Sequence, residues 1–304
     1  MVSPGGNVPA WRSFAGDTGA EPHMTAAGEL NIGHIPYLNS VPFFHFLQES
    51  GFDGNLVSGV PSELNRMLQQ GELAVSPSSS FEYARNWQDY FLLPGHSISS
   101  CGKVQSVLLF SPVALGALEG EEIAITGESA TSINLLRVIL REFQGLRKVV
   151  DAVPDRPVEE LIAAGRPALL IGDRALQTAE GMPVGMQCFD LGELWYRQTG
   201  LPFVFALWMV RRDAVSSFPE ALAKLADQLR YSREKVLATP DEIAAACAPS
   251  SGLTAAQIIT YWNGIDYRLE KAHLTGLKLF FKLCAKYDLL NREPPLEFLP
   301  DRTD

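Results

Sequence analysis

Histidine and cysteine are scarce in this chain. Its 304 residues include 5 histidines and 4 cysteines. The cysteines, Cys101, Cys188, Cys247 and Cys284, stand far apart, with no Cys-x-x-Cys pair and no histidine at ligand spacing. That scarcity argues against the usual zinc patterns and against a disulfide framework, and it predicts reduced, mostly buried thiols in a cytoplasmic protein. Positive charge is also in short supply, since 25 Lys and Arg face 35 Asp and Glu for a formal net charge of −10. A nucleic-acid or anionic-membrane surface is therefore not expected, and any anionic ligand needs a local site. Long apolar runs are missing as well. Even Leu201 to Val210 ends at Arg211, short of the roughly 18 residues that a membrane span requires. There is no Gly-x-Ser-x-Gly elbow, no Walker loop and no Rossmann glycine pattern at a first strand. Serine hydrolysis, phosphoryl transfer and hydride transfer are disfavoured accordingly.

What is present divides into a tail and a body. Residues 1–28 are rich in Gly, Pro, Ala and polar residues, and Trp11, Arg12, Asp17 and Glu21 interrupt any run that a secretory signal would need. They read as a disordered extension, with Met24 an alternative start, so export is not expected. The remainder, in a chain that is 46% hydrophobic, is long enough for two medium cores.

From residue 29, short apolar runs alternate with helical periodicity, which predicts an α/β fold with largely parallel sheets. Strands are expected at Leu30–Ile35, Gly54–Val60, Ala74–Ser76, Val104–Phe110, Glu122–Thr126, Ala168–Ile171 and Phe203–Val210. Helices are expected between them at Val41–Gln48, Ser62–Gln70, Ser79–Trp87, Ala130–Phe143, Val158–Ala164 and Arg174–Glu180. After Arg212 the pattern is helical only, over Pro219–Ala238, Pro240–Ala246, Thr254–Ala272 and Leu274–Tyr287. Val104–Phe110 and Phe203–Val210 read as crossing strands into and out of an inserted domain. Two α/β lobes result, one from 29–110 with 204–304 and one from 111–203, with a cleft between them where a small ligand would bind.

Three polar clusters each follow a strand and precede a helix: Tyr37-Leu38-Asn39-Ser40, Ser76-Pro77-Ser78-Ser79-Ser80 and Gly127-Glu128-Ser129-Ala130-Thr131-Ser132. A helix start carries roughly half a positive charge and about four unpaired N–H donors, so such ends can hold carboxylates without Lys or Arg. Any one cluster could equally be a plain helix cap. Together they nominate Tyr37, Asn39, Ser40, Ser78, Ser79, Ser80, Ser129, Thr131 and Ser132 as contacts for a small dianion. Asp173, at the end of the apolar run Ala168–Gly172, either faces the cleft or caps the helix that follows. Ser106 on the first crossing strand points to one face or the other. His34 and His45 lack companions for metal binding and read as surface or core histidines. Trp195, Tyr196, Phe203, Phe205 and Trp208 read as core rather than cleft wall.

Ile35-Pro36-Tyr37-Leu38-Asn39-Ser40-Val41-Pro42, Pro61-Ser62-Glu63-Leu64-Asn65, Ser79-Ser80-Phe81-Glu82-Tyr83-Ala84, Ala168-Leu169-Leu170-Ile171-Gly172-Asp173 and Thr199-Gly200-Leu201-Pro202-Phe203-Val204-Phe205-Ala206 occur in this order. In these stretches the chain resembles the MqnA family of menaquinone biosynthesis, the chorismate dehydratases of the futalosine pathway. The resemblance runs from about residue 30 to the helical tail. One departure stands out: where the family commonly has Ala-Pro-Ile-Ser-Ser, this chain has Ser76-Pro77-Ser78-Ser79-Ser80, and the added hydroxyl leaves open which serine faces the substrate.

The resemblance implies a two-lobed, periplasmic-binding-protein-like (type 2) fold used as a cytoplasmic enzyme, with no metal or other cofactor. The implied substrate is the dianion chorismate, which loses water to give 3-[(1-carboxyvinyl)oxy]benzoate. No motif offers an evident base, and the neutral amide of Asn39 cannot act as one. The expectation is that the substrate's own enolpyruvyl carboxylate, positioned by Asn39 and nearby serines, accepts the ring proton. The rival readings are a non-catalytic sensor of small anions built on the solute-receptor fold, or the sister naphthoate-forming enzyme, whose first motif differs.

Overall fold

The computed structural model describes residues 28–300. The expected extension therefore lies outside the described residues, apart from Gly28. Among the described residues ten strands form two five-stranded sheets. The first sheet contains β1 (Asn31–His34), β2 (Asn55–Ser58), β3 (Val75–Ser79), β4 (Tyr90–Ser100) and β10 (Phe203–Arg211), in the order β2-β1-β3-β10-β4. The second contains β5 (Val107–Ser111), β6 (Glu122–Ile125), β7 (Val150–Ala152), β8 (Ala168–Ile171) and β9 (Gln187–Asp190), in the order β7-β6-β8-β5-β9.

Both sheets are mixed, which corrects the expectation of largely parallel ones. β1 runs parallel to β2 and β3, while β10 runs antiparallel to β3 and β4. Likewise β6 runs parallel to β7 and β8, while β5 runs antiparallel to β8 and β9. The physical reason is connectivity. Parallel neighbours need a crossover element, but β5 and β10 enter their sheets directly from the other lobe and are free to run the opposite way.

The crossing points move for the same reason. The strand expected at Val104–Phe110 pairs within the second sheet, so the chain leaves the first lobe in the segment 101–106 rather than beyond residue 110. It returns through 200–202 into β10. β4 is not among the expected strands, and Pro94 and Gly95, the latter at φ +79°, lie in its middle. The sheet accommodates them with irregularities in the β4–β10 pairing.

The helices are α1 (Val41–Phe44), α2 (Pro61–Gln70), α3 (Ser80–Asn86), α4 (Ala130–Val138, continued by a π-helical turn to Phe143), α5 (Val158–Ala163), α6 (Gly172–Glu180) and α7 (Leu191–Thr199). α8 (Ala214–Ser217), α9 (Pro219–Ala238), α10 (Pro240–Ser251), α11 (Ala255–Gly264) and α12 (Lys271–Lys286) form the tail. The single helix expected over Thr254–Ala272 breaks after Gly264. Residues beyond the break lie along β4, where Ser99 N donates to Asp266 O at 2.9 Å and Ser97 N to Tyr267 O at 3.0 Å. Among the described residues no single helix is long and apolar enough to cross a membrane.

One apolar cluster belongs to the first lobe with α9–α11, a small one belongs to the second, and the third is shared. Trp195 on α7 shows why sharing matters. It is fully buried, with its ring 5.2 Å from Phe203 on β10 and 6.2 Å from Phe280 on α12. A buried aromatic of this size contributes roughly 5 kcal/mol of gross transfer energy, here directed at holding the second lobe against the returning strand and tail.

Candidate functional site

The cleft between the lobes holds about 640 Å³ of space, including its open mouth. Its first-lobe wall comes from the loop after β1, which contributes Tyr37 and Asn39, and from the end of β3, which contributes Ser78 and Ser79. Phe205 and Ala206 on β10 lie beside them, because Ala206 pairs with Ser79 and Leu207 with Ser78. The opposite wall comes from Ser106 and Val107, from Glu128, Ser129 and Ser132 at the start of α4, and from Ile171 and Gly172.

The loop carrying Asn39 is fixed by its own backbone. Tyr37 N donates to Ile35 O at 2.9 Å and Ser40 N to Tyr37 O at 3.0 Å. Ser40 Oγ donates to Tyr37 O at 2.8 Å and also to Ile35 O, so this serine ties the loop together and does not face the cleft. Leu38 is held at both ends of its backbone: its N–H donates to Asp173 Oδ1 at 3.3 Å and its O accepts from Trp262 Nε1 at 2.8 Å. Asn39 and Tyr37 are the residues of this loop whose polar side chains reach the cleft. The expectation of a helix N-terminus here is corrected, since α1 is a single turn and Ser40 makes no side-chain cap.

Other candidates separate into caps, bridges and free groups. Ser79 Oγ accepts from Glu82 N at 3.3 Å and Ser129 Oγ accepts from Ser132 N at 3.3 Å, so both cap helices at the rim of the cleft. Ser80 Oγ donates to Val204 O at 2.8 Å, and Thr131 Oγ1 accepts from Phe81 N at 2.8 Å. The Thr131 bond, and the 3.3 Å contact between Ser80 Oγ and Thr131 Oγ1, bridge the lobes in the interior, the Val204 bond stays within the first lobe, and neither residue lines the cleft. Ser78 Oγ behaves differently: it is buried, belongs to a residue lining the cleft, and has no hydrogen-bond partner among the described residues. A buried hydroxyl left unsatisfied costs about 1–3 kcal/mol, which a ligand oxygen would recover.

Tyr261 was missed because it reads as part of the apolar face of α11. Its hydroxyl donates to Ser106 Oγ at 2.8 Å and is also hydrogen-bonded to the Asn39 side chain. Burial raises its pKa well above the ordinary value, so it remains a neutral donor. Glu128 was quoted within a motif but not singled out, yet it is the one charged side chain lining the cleft among the described residues. Arg174 Nη1 lies 3.1 Å from it while also gripping Glu159 at 2.7 Å. Tyr37 is hydrogen-bonded to Glu128, and burial with the nearby carboxylates pushes its pKa up to about 12.

Asp173 sits in the seam between the lobes and not in the cleft lining, and burial raises its pKa to about 6. His34 packs edge-on against Phe44 and is driven down to about 4 by burial, so it is neutral near pH 7. Neither His34 nor His45 lines the cleft. Of the aromatics, Trp195, Phe203 and Trp208 are core, Tyr196 is exposed, and Phe205 forms cleft wall.

The fold brings Cys101, Asp266 and His273 together, their possible ligand atoms within 4.8 Å of one another. The hydrogen bonds oppose a metal there. His273 Nδ1 accepts from Glu270 N at 3.2 Å, which leaves the proton on Nε2, the nitrogen 3.2 Å from Asp266 Oδ2. Arg268 already forks onto both oxygens of Asp266, at 3.0 and 2.9 Å. A cation would have to displace a proton and a guanidinium together.

A family model described as menaquinone biosynthesis matches residues 30–286. A chorismate dehydratase from Thermus thermophilus is 36% identical over 267 residues, covering 82% of this chain and 93% of that protein. Among solved structures, the alkanesulfonate-binding protein SsuA from Xanthomonas axonopodis pv. citri, bound to MOPS, superposes with a TM-score of 0.68 at 15% identity, over 89% of this chain and 98% of that one. A Candida albicans protein described as having the generic periplasmic binding protein fold gives a TM-score of 0.60 at 12% identity, over 91% and 99%. At such identities the likeness concerns the fold alone: two lobes, two crossings and a cleft.

Proposed function

The chain belongs to the menaquinone-biosynthesis family, and from that premise we propose that it is a chorismate dehydratase, a hydro-lyase that converts chorismate to 3-[(1-carboxyvinyl)oxy]benzoate. The observation that carries this reading is the 36% identity with the Thermus thermophilus enzyme across both lobes. The geometry supports it. The cleft is lined by neutral donors, Asn39, Ser78 and Ser106 among them, and among the described residues no Lys, Arg or His lines it.

In this reading the ring C3–H bond breaks, its electrons enter the ring, and the C4–O bond breaks to release the hydroxyl group as water. The ring becomes aromatic, so the overall step is strongly downhill. Donors on the ring carboxylate stabilise negative charge delocalised into the diene as the C3 proton leaves, and a preorganised donor of that kind is worth about 3 kcal/mol. Asn39, held by Tyr261, orients the enolpyruvyl carboxylate that accepts the proton, and serine hydroxyls assist the departing oxygen. The negative charge of Glu128 is balanced by Arg174, which keeps the wall compatible with a dianion.

The test is direct. Purified protein mixed with chorismate should consume it and release the substituted benzoate, followed by absorbance and mass. Chorismate bound but recovered unchanged would instead favour a small-anion binder, the reading encouraged by the likeness to SsuA. Turnover of a different precursor to a naphthoate would indicate the sister enzyme.

A further inference from the structure

α6 starts in the second lobe but presents one side to the first. Asp173, Leu176 and Gln177 stand at i, i+3 and i+4 spacing and so share a face. Asp173 Oδ1 accepts the Leu38 N–H at 3.3 Å, Leu176 packs against the first lobe's apolar cluster, and Gln177 Nε2 donates to Ser251 O at 2.6 Å. Immediately before them Gly172 adopts φ +64°, and a Cβ there would meet the Tyr37 ring at 3.6 Å. The start of α6 is thus fitted against the loop that carries Asn39.

Leu38 lies between two residues that line the cleft, Tyr37 and Asn39. Its two backbone groups are gripped from opposite lobes, the carbonyl by Trp262 of the tail and the N–H by Asp173. The Trp262 contact lies within the first lobe and survives any opening of the cleft, whereas the Asp173 contact exists only when the lobes are together. We propose that Asp173 is a positioning residue: by accepting the Leu38 N–H across the seam, it sets the orientation of Asn39 in the closed cleft without touching the ligand. Its kinetic consequence rests on the dehydratase reading, and its structural consequence does not.

Two variants of the full chain test this, Asp173→Ala and Asp173→Asn. Asparagine keeps a carbonyl oxygen where the carboxylate stood, and alanine does not. Amide hydrogen exchange can be followed over residues 37–41, a stretch bracketed by Pro36 and Pro42, which carry no amide hydrogen. Leu38 should exchange about tenfold faster in Asp173→Ala and close to the wild-type rate in Asp173→Asn. With chorismate, kcat should fall about 30-fold in Asp173→Ala, with KM changed far less, and most of it should return in Asp173→Asn. Unchanged Leu38 exchange in Asp173→Ala overturns the proposal, as does a wild-type kcat in Asp173→Ala when the wild type turns chorismate over. An Asp173→Asn protein as impaired as Asp173→Ala also overturns it. If the exchange pattern is as expected but wild type leaves chorismate untouched, the contact stands and the dehydratase reading fails.

Discussion

Tyr261 Oη donates to Ser106 Oγ at 2.8 Å, tying the helical tail to the segment where the chain first crosses between the lobes. The same hydroxyl meets the Asn39 side chain, so three groups from distant parts of the sequence share one buried oxygen. Removing it in Tyr261→Phe leaves Ser106 and Asn39 without that partner. The expected cost is about 1–2 kcal/mol in urea unfolding, with kcat lowered about tenfold. A double-mutant cycle with Ser106→Ala should be clearly non-additive, because the two hydroxyls act through one contact. Simple addition of the two effects would remove the network from the mechanism.

Asn39→Ala should separate chemistry from folding. The loop backbone is held by Ile35, Ser40, Trp262 and Asp173, none of which needs the Asn39 amide. Its thermal midpoint should therefore stay close to that of wild type while turnover drops by about two to three orders of magnitude, the usual range for a lost preorganised donor. Near-normal turnover would take Asn39 out of the proposed mechanism.

Much of the cleft was legible because polar clusters after strands are a local signal. Ser79, Ser129 and the Asn39 loop fall where that signal placed them, and seven of the eleven candidates (Tyr37, Asn39, Ser78, Ser79, Ser106, Ser129 and Ser132) line the cleft. What local pattern cannot report is the partner a polar group finds. Ser80 and Thr131 carry the same residue types but meet each other across the interior, their hydroxyls 3.3 Å apart. Tyr261 stands beside Ile258 and Trp262 at core spacing, and its role depends on Ser106, 155 residues away. Strands with a clear apolar run were found. β4 was hidden by Pro94-Gly95, and β7 and β9 by being short, polar edge strands. The boundary between lobes was misplaced because β5 has the composition of a crossing strand, whereas only its pairing with β8 and β9 shows which sheet owns it.

Glu128→Gln distinguishes two proton acceptors. If the substrate's own carboxylate takes the C3 proton, neutralising this wall residue should leave kcat within about threefold and lower KM, since one like charge near a dianion is removed. Loss of turnover to background, with the fold intact by circular dichroism, would assign the proton to Glu128.

Trp195→Ala should reveal how strongly the shared core joins the lobes. Its ring contacts residues from β10 and α12 as well as Phe143 of its own lobe. The expected loss is about 3–5 kcal/mol in equilibrium unfolding, and it should bring the lobes' unfolding transitions apart, because the truncated contact spans both. A loss under about 1 kcal/mol would show that the cavity collapses and that other contacts carry the junction.

The buried carboxyl of Asp173 should leave a signature in the pH dependence of stability. Its pKa rises from an ordinary 3.8 to about 6 on folding, chiefly through burial. Between those values the folded chain holds the proton more tightly than the unfolded chain, so this residue's contribution falls as pH rises from about 4 to about 6 and is flat above. His34 and His96 act oppositely over much of the same window. Both are driven down to about 4 by burial, and their contribution is lost as pH falls from 6.5 toward 4. The wild-type curve therefore mixes opposing slopes, and the informative quantity is its difference from Asp173→Asn. The groups that feel Asp173 across the packed elements are Tyr37, Cys247 on α10 and Tyr261 on α11. All three pKa values are raised, so they stay neutral through the window. The variant should gain stability relative to wild type as pH climbs through that range, by up to roughly 3 kcal/mol at neutral pH. A difference curve that is level from pH 4 to 7 would mean that the carboxyl is solvated in solution and that the seam it occupies is open.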